Sequence, residues 1–320
     1  MHWQNWIKVI GIILLVWILS TVNWEQTLRA LVKLDPAYMV GYFVCFVAMT
    51  LVRTLRLRLA LTRLGHPLSL KDCYIAVLEP AFMGAVTPGR LGEFTRVGYI
   101  QAQGLPIQEA ISLVMVERLI DMFVLLVFGT GGMIYIFAPE PYRIGSGLVI
   151  LFGLSFCLVA IRLYDLTFQI LQKHLKWMLC WEPSSWARHR QAMATSFHLV
   201  MKRTAMPIFL LGLVYTSLTL VQVFLLAKAF GFEADYLVVI FAYAVSTLVA
   251  LLPISVGGLG TREATYIMIM GREGIMKEQA LLFSLLDGFI FGVLMLLILL
   301  IPVWATRLLP KLLKGNRGLK

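Results

Sequence analysis

The chain has 320 residues, of which 60% are apolar and 14% charged, and its net charge is +11. Soluble domains carry about 25% charged residues, so a soluble enzyme is excluded and a helical bundle in lipid is the expectation, with each span needing about 20 mainly apolar residues. The excess of Lys and Arg lies in the connections between apolar runs, where the positive-inside rule puts it, so no nucleic-acid partner is expected.

The N-terminal run MHWQNWIKVIGIILLVWILSTVNW lacks a small-residue cleavage site and reads as an uncleaved first span. Five more segments read as full spans, so that the six lie at residues 7–22, 37–55, 109–137, 145–163, 206–230 and 279–304. After the second comes a basic connection with Arg53, Arg56, Arg58, Arg63 and Lys71 against Asp72 alone. The long connection 163–205 is basic through Lys173, Lys176, Arg188, Arg190, Lys202 and Arg203, and the tail carries Arg307, Lys311, Lys314, Arg317 and Lys320. These segments and both termini are therefore expected on the cytoplasmic side, in a bacterial inner membrane. Within the long connection, FQILQKHLKWMLCW (168–181) reads either as a basic amphipathic surface helix or as a plain linker.

Two apolar stretches, 73–86 and 236–253, remain over. The alternation of sides leaves each to enter and return on the same face, and such re-entrant backbone is tolerated only where protein or a wet cavity satisfies its polar groups. The expected fold class is thus an all-α polytopic membrane protein. It has about six full spans and two re-entrant helical hairpins entering from opposite faces.

The turns of the two hairpins resemble each other. VTPGRLGEFTRV and LPISVGGLGTREATY each place a proline before a Gly-x-Leu-Gly core and a glutamate, Glu93 in one and Glu263 in the other. RLIDMFV around Asp121 then corresponds to SLLDGFI around Asp287. An inverted repeat with broken helices is a recurring plan of secondary transporters. The whole chain, 1–320, reads as one membrane domain, with repeat halves at about 37–137 and 206–304, a linker span and basic loop at 138–205, and a tail at 305–320. The turn glycines Gly89, Gly92, Gly257, Gly258 and Gly260 allow tight turns and leave N–H groups accessible to an anion.

Ionisable groups inside a span are costly and tend to be functional. Glu117 and Asp121, four residues apart, share a helix face, with Arg118 beside them. They read either as a buried ion cluster that locks the bundle or as the wall of a polar, proton-sensitive cavity. Arg90, Arg96 and Arg262 lie at the glycine turns and suit either a phosphate headgroup or a salt bridge to Glu93 or Glu263 in the same hairpin. Asp287 has no charged neighbour in sequence and is expected to stand unpaired. The scattered cysteines and histidines form no metal or catalytic constellation, and no nucleotide-binding or nucleophile motif occurs, so neither a metal, a cofactor nor an enzymatic activity is expected.

Together PGRLGEFTR, the intramembrane ERLID and GGLGTRE resemble the lysylphosphatidylglycerol synthase transmembrane region, or flippase-like domain, over nearly the whole chain. That family includes the membrane half of the multiple peptide resistance factor, similar to a flippase for aminoacylated phosphatidylglycerol, and stand-alone members of hopanoid, polyprenyl-linked sugar and other envelope lipid pathways. The resemblance implies a transporter that moves an anionic or phosphate-bearing lipid between leaflets. Its substrate-binding residues would be Arg90, Glu93, Arg96, Glu117, Arg118, Asp121, Arg262, Glu263 and Asp287. The alternative it leaves is a membrane enzyme or accessory subunit of a polyprenyl-phosphate, glycolipid or hopanoid pathway, with lipid-biosynthesis enzymes as partners. No aminoacyltransferase sequence accompanies the bundle, so aminoacylation of lipid by this chain is not expected.

Overall fold

The computed structural model describes residues 17–87, 92–163, 184–251 and 258–315, and those residues are helical, with short turns and no strand among them. The helices are α1 (Trp24–Val32), α2 (Pro36–Leu64), α3 (Leu70–Val86), α4 (Thr95–Ala102), α5 (Ile107–Phe137), α6 (Ile144–Arg162), α7 (Ser184–Ala229), α8 (Tyr236–Leu251), α9 (Thr261–Met270), α10 (Lys277–Leu285) and α11 (Phe291–Gly315). A π-helical turn, Leu286–Ile290, joins the last two. Among the described residues four segments are long and apolar enough to cross a bilayer: Pro36–Leu64, Glu140–Arg162, Ala192–Ala229 and Lys277–Val303. The protein is an all-α, multi-pass membrane protein.

Local chemistry sets the ends of the first half. Asp35 caps α2 by accepting the Ala37 N–H at 2.8 Å, with Pro36 in the first turn. The helix then runs 29 residues to Gly65, whose φ of 88° is left-handed. The sequence reading ended this span at residue 55 and assigned Arg53 onward to a basic connection. Arg and Leu are good helix formers, however, and no breaker intervenes before Gly65. Arg53, Arg56, Arg58 and Arg63 therefore belong to the helix and not to a loop. Ser69 caps α3 by accepting the Asp72 N–H at 3.1 Å. That helix stops at Thr87, whose extended backbone (φ −108°, ψ 145°) is the conformation favoured before a proline.

The short helices define the geometry around the two turns. With 8 residues α4 is about 12 Å long, and with 10 residues α9 is about 15 Å. Each is half of a ~30 Å hydrocarbon core or less. At the first turn an ideal Cβ on Gly92 would stand 2.3 Å from the Met83 carbonyl, so only glycine lets the two arms approach. At the second, Gly258 and Gly260 adopt φ of 83° and 85°. Residues 88–91 and 252–257, with Gly89, Arg90 and Gly257, lie outside the described residues, as do 1–16 of the first expected span and 164–183 with the amphipathic stretch.

Packing exchanges elements between the halves. The most extensive interface is α2 against α7. Helix α3 packs on α11, and α8 packs on α5. Two large apolar cores result, beside two smaller clusters around Leu78 and Leu300 and around Ile18 and Leu281. One gathers Leu57, Val77, Leu113 and Phe209 from α2, α3, α5 and α7. The other gathers Val223, Val239, Tyr266 and Phe283 from α7, α8, α9 and α10. The 46-residue α7, which the sequence reading began at 206, starts at Ser184 and serves both cores.

Candidate functional site

Where α2, α4 and α5 meet, charged side chains gather in two neighbouring groups of ion pairs. Arg56 lies one turn past Arg53 on α2, so both face the same neighbours. The Arg56 guanidinium forks onto Asp121, with Nη1 donating to Oδ1 at 2.6 Å and Nη2 to Oδ2 at 2.9 Å. Its Nε lies 3.6 Å from Glu117 Oε1. Arg96 reaches out of α4 to pair with Glu117 Oε2, and both side chains are 4% exposed. Glu93 pairs with Arg118 and, at 3.4 Å, with Arg53 Nη2. An ion pair this deeply buried barely offsets its desolvation, but losing one partner from it is expensive. Among the described residues Arg56 and Arg96 thus meet Glu117 and Asp121, and Arg53 and Arg118 meet Glu93.

The second half has a smaller counterpart. Arg262, second residue of α9, pairs with Asp287 on the π-helical turn. Arg96, second residue of α4, pairs in the same way with a carboxylate of the helix that follows it. Gly288 leaves room for Arg262, because a Cβ there would stand 2.4 Å from Nη1 and the guanidinium would have to shift. Single π turns interrupt helices mostly at functional positions. Glu263 takes no part in the ion pair. Its carboxylate accepts the Gly260 N–H and, at 3.3 Å, the Ser284 hydroxyl, which caps α9.

Between the halves lies a cavity of about 200 Å³. Its walls come from α2, α3, α7, α8, α9 and the π turn with α11. Arg53 enters from one half, Arg262 and Asp287 from the other. Thr50, Thr219, Gln222 and Thr247 add small polar groups, and the Thr247 hydroxyl oxygen is buried without a hydrogen-bond partner. Tyr215 faces the Arg53 guanidinium at 5.8 Å, and Tyr243 faces Arg262 at 6.0 Å.

Three expectations from the sequence change here. Asp287 is not an unpaired carboxylate, because folding brings Arg262 to it across 25 residues. Arg96 and Arg262 do not pair with the glutamate of their own hairpin, which points its carboxylate elsewhere. Among the expected binding residues, Arg262 and Asp287 line the cavity, whereas Glu93, Arg96, Glu117, Arg118, Asp121 and Glu263 do not. Glu93, Arg96, Glu117, Arg118 and Asp121 instead make the ion pairs described above, and Glu263 caps α9. Arg53 was missed as a site residue, and its only sequence signal was its three-residue spacing from Arg56 on one helix face.

The model of the lysylphosphatidylglycerol synthase TM region matches residues 5–299. The chain belongs to this family. A curated relative, the UPF0104 membrane protein MJ1595 of Methanocaldococcus jannaschii, is 22% identical over 303 residues, covering 89% of this chain and 90% of its own. No solved structure matches. Both hairpin motifs and both buried ion pairs of this family member, Arg96–Glu117 and Arg262–Asp287, fall within the matched span.

Proposed function

We propose that the chain is a flippase-like transporter that carries an anionic or phosphate-bearing envelope lipid between the leaflets of the cytoplasmic membrane. The observation that carries this reading is that an arginine from each half, Arg53 and Arg262, opens onto one cavity. Arg53 lies 11 residues inside the end of α2, about 16 Å along the helix and close to half of a ~30 Å hydrocarbon core. A guanidinium there suits a phosphate, which it can hold through two hydrogen bonds. At about 200 Å³ the cavity is smaller than the ~300–1,000 Å³ that encloses a drug-sized ligand. It takes a headgroup, and the acyl or prenyl chains remain among the lipids.

The halves act in this reading as an inverted repeat whose re-entrant hairpins, α3–α4 and α8–α9, rock against each other about the cavity. The reciprocal packing of α3 on α11 and α8 on α5 supports it. The basic connections and tail put both termini on the cytoplasmic face. The test is leaflet exchange of fluorescent phosphatidylglycerol and polyprenyl phosphate in proteoliposomes. Wild-type protein is expected to accelerate exchange and folded Arg262→Gln to abolish it. If no lipid exchanges with or without a pH gradient, transport is refuted and a role in a lipid-biosynthetic pathway takes its place.

A further inference from the structure

What the polar wall of the cavity can hydrogen-bond depends on which of its protons the helices already use. On α2, Thr50 lies three residues before Arg53 and shares its face. The Thr50 hydroxyl donates to the Phe46 carbonyl at 3.0 Å. On α7, Tyr215, Thr219 and Gln222 follow the spacing of one helix face, and all three line the cavity. The single hydroxyl proton of Thr219 has acceptors within the protein, the Tyr215 carbonyl at 2.9 Å and the Met49 sulfur at 3.1 Å. Gln222 donates from Nε2 to the Tyr42 carbonyl at 3.3 Å, and its amide oxygen can only accept. A hydroxyl whose proton is engaged in this way meets anything else as an acceptor.

These groups form a strip. Arg53 faces Tyr215, Met49 meets Thr219 and Tyr42 meets Gln222, so α2 and α7 run antiparallel along it. From Tyr215 to Gln222 the helix advances about 10 Å, at 1.5 Å per residue. The strip therefore leads from the Arg53 guanidinium past the acceptor oxygens of Thr50, Thr219 and Gln222, all of them buried residues. What α3 and α11 bring to the cavity, including Leu78, Ala81, Val293 and Leu296, is apolar or glycine. A buried acceptor set against a methyl group loses the water it had and gains nothing, whereas an O–H or N–H donor satisfies it.

Resting on the transport reading, we infer that Thr50, Thr219 and Gln222 read the headgroup, and that the cavity takes a phosphate-bearing lipid whose headgroup carries hydrogen-bond donors, hydroxyl or ammonium, beyond the phosphate.

Equilibrium binding to the detergent-solubilised full chain tests this separately from transport, with two pairs of dioctanoyl lipids matched in charge. Phosphatidylglycerol and phosphatidylmethanol are both monoanions, and only the first has hydroxyl groups. Phosphatidylethanolamine and phosphatidylcholine are both zwitterions, and only the first has N–H donors. The charge is constant within a pair, so neither comparison depends on the charge of the site. The donor-bearing member is expected to bind about tenfold or more tighter, the scale of leaving buried acceptors unpaired. Separation of one pair alone upholds the inference and names the donor. Thr50→Val, Thr219→Val and Gln222→Leu are each expected to narrow the gap by weakening the donor-bearing member alone. A purely structural role would weaken both members of a pair equally.

Equal binding within both pairs, or a gap that survives all three substitutions, overturns the inference. Glycerophosphoglycerol is the chain-free control, and affinity equal to that of phosphatidylglycerol overturns the assignment to a lipid. If the donor order holds but no lipid exchanges in proteoliposomes, the transport reading fails while the site stands.

Discussion

Replacing Glu117 with glutamine tests whether the buried network is what holds α4 against α5. Arg96 has Glu117 as its only carboxylate contact in the network, and its Nε and Nη2 are already buried without hydrogen bonds. Removing the charge leaves a guanidinium that is 4% exposed with no counter-ion. Breaking a buried pair in this way costs about 3–5 kcal/mol. Arg56 also loses its neighbour at 3.6 Å but keeps its fork on Asp121, so the loss falls mainly on Arg96. Replacing both partners, as in Arg96→Met with Glu117→Met, removes the stranded charge and is expected to recover most of the stability, because apolar substitutes for a whole buried pair are often neutral or better. Unfolding in mixed micelles by SDS titration, followed by tryptophan fluorescence, measures both. A Glu117→Gln variant within about 1 kcal/mol of wild type, or a double variant as unstable as the single one, would refute the reasoning, since the threshold lies well below the cost of a broken buried pair.

Other substitutions probe different parts of the same frame. Asp121→Asn is expected to cost about 1.5–3 kcal/mol, the range for hydrogen bonds to a charged group, and less than Glu117→Gln, because Asp121 is 30% exposed and Arg56 keeps Glu117. The same titration ranks the two, and a reversed order contradicts the burial argument. Gly92→Ala puts a Cβ 2.3 Å from the Met83 backbone and is expected to cost at least the ~1–3 kcal/mol of an overpacked site, with loss of the folded peak on size exclusion; wild-type behaviour would mean that the two arms need no close approach. Tyr135→Phe removes a 2.7 Å hydrogen bond to Asp235 that ties α5 to the start of α8, and about 1 kcal/mol is expected to be lost. No loss in the unfolding titration would mean that water replaces the hydroxyl without cost.

The helices were legible in the sequence because their signals are local. Apolar runs of membrane length, the Asp35–Pro36 start, and the glycine and proline turns each act within a few residues. The shared face of Glu117 and Asp121 was equally legible, since it depends only on helical spacing. Which arginine answers which carboxylate was not. Arg56 finds Asp121 across 65 residues and Arg53 finds Glu93 across 40, distances over which no spacing rule operates. Hydropathy also misplaced these two arginines, because it ends a span at the first cluster of charge, whereas a helix continues until a residue breaks it.

By itself, then, the sequence determined a membrane bundle with charge buried at two repeated motifs, because composition and periodicity fix how each segment meets lipid and backbone. Only the tertiary structure decided that Arg262 pairs with Asp287, that Arg96 pairs with Glu117 and Arg56 with Asp121, and that Arg53 lines the cavity. Ion pairing depends on which helix faces come together, and that is settled by packing between segments far apart in the chain.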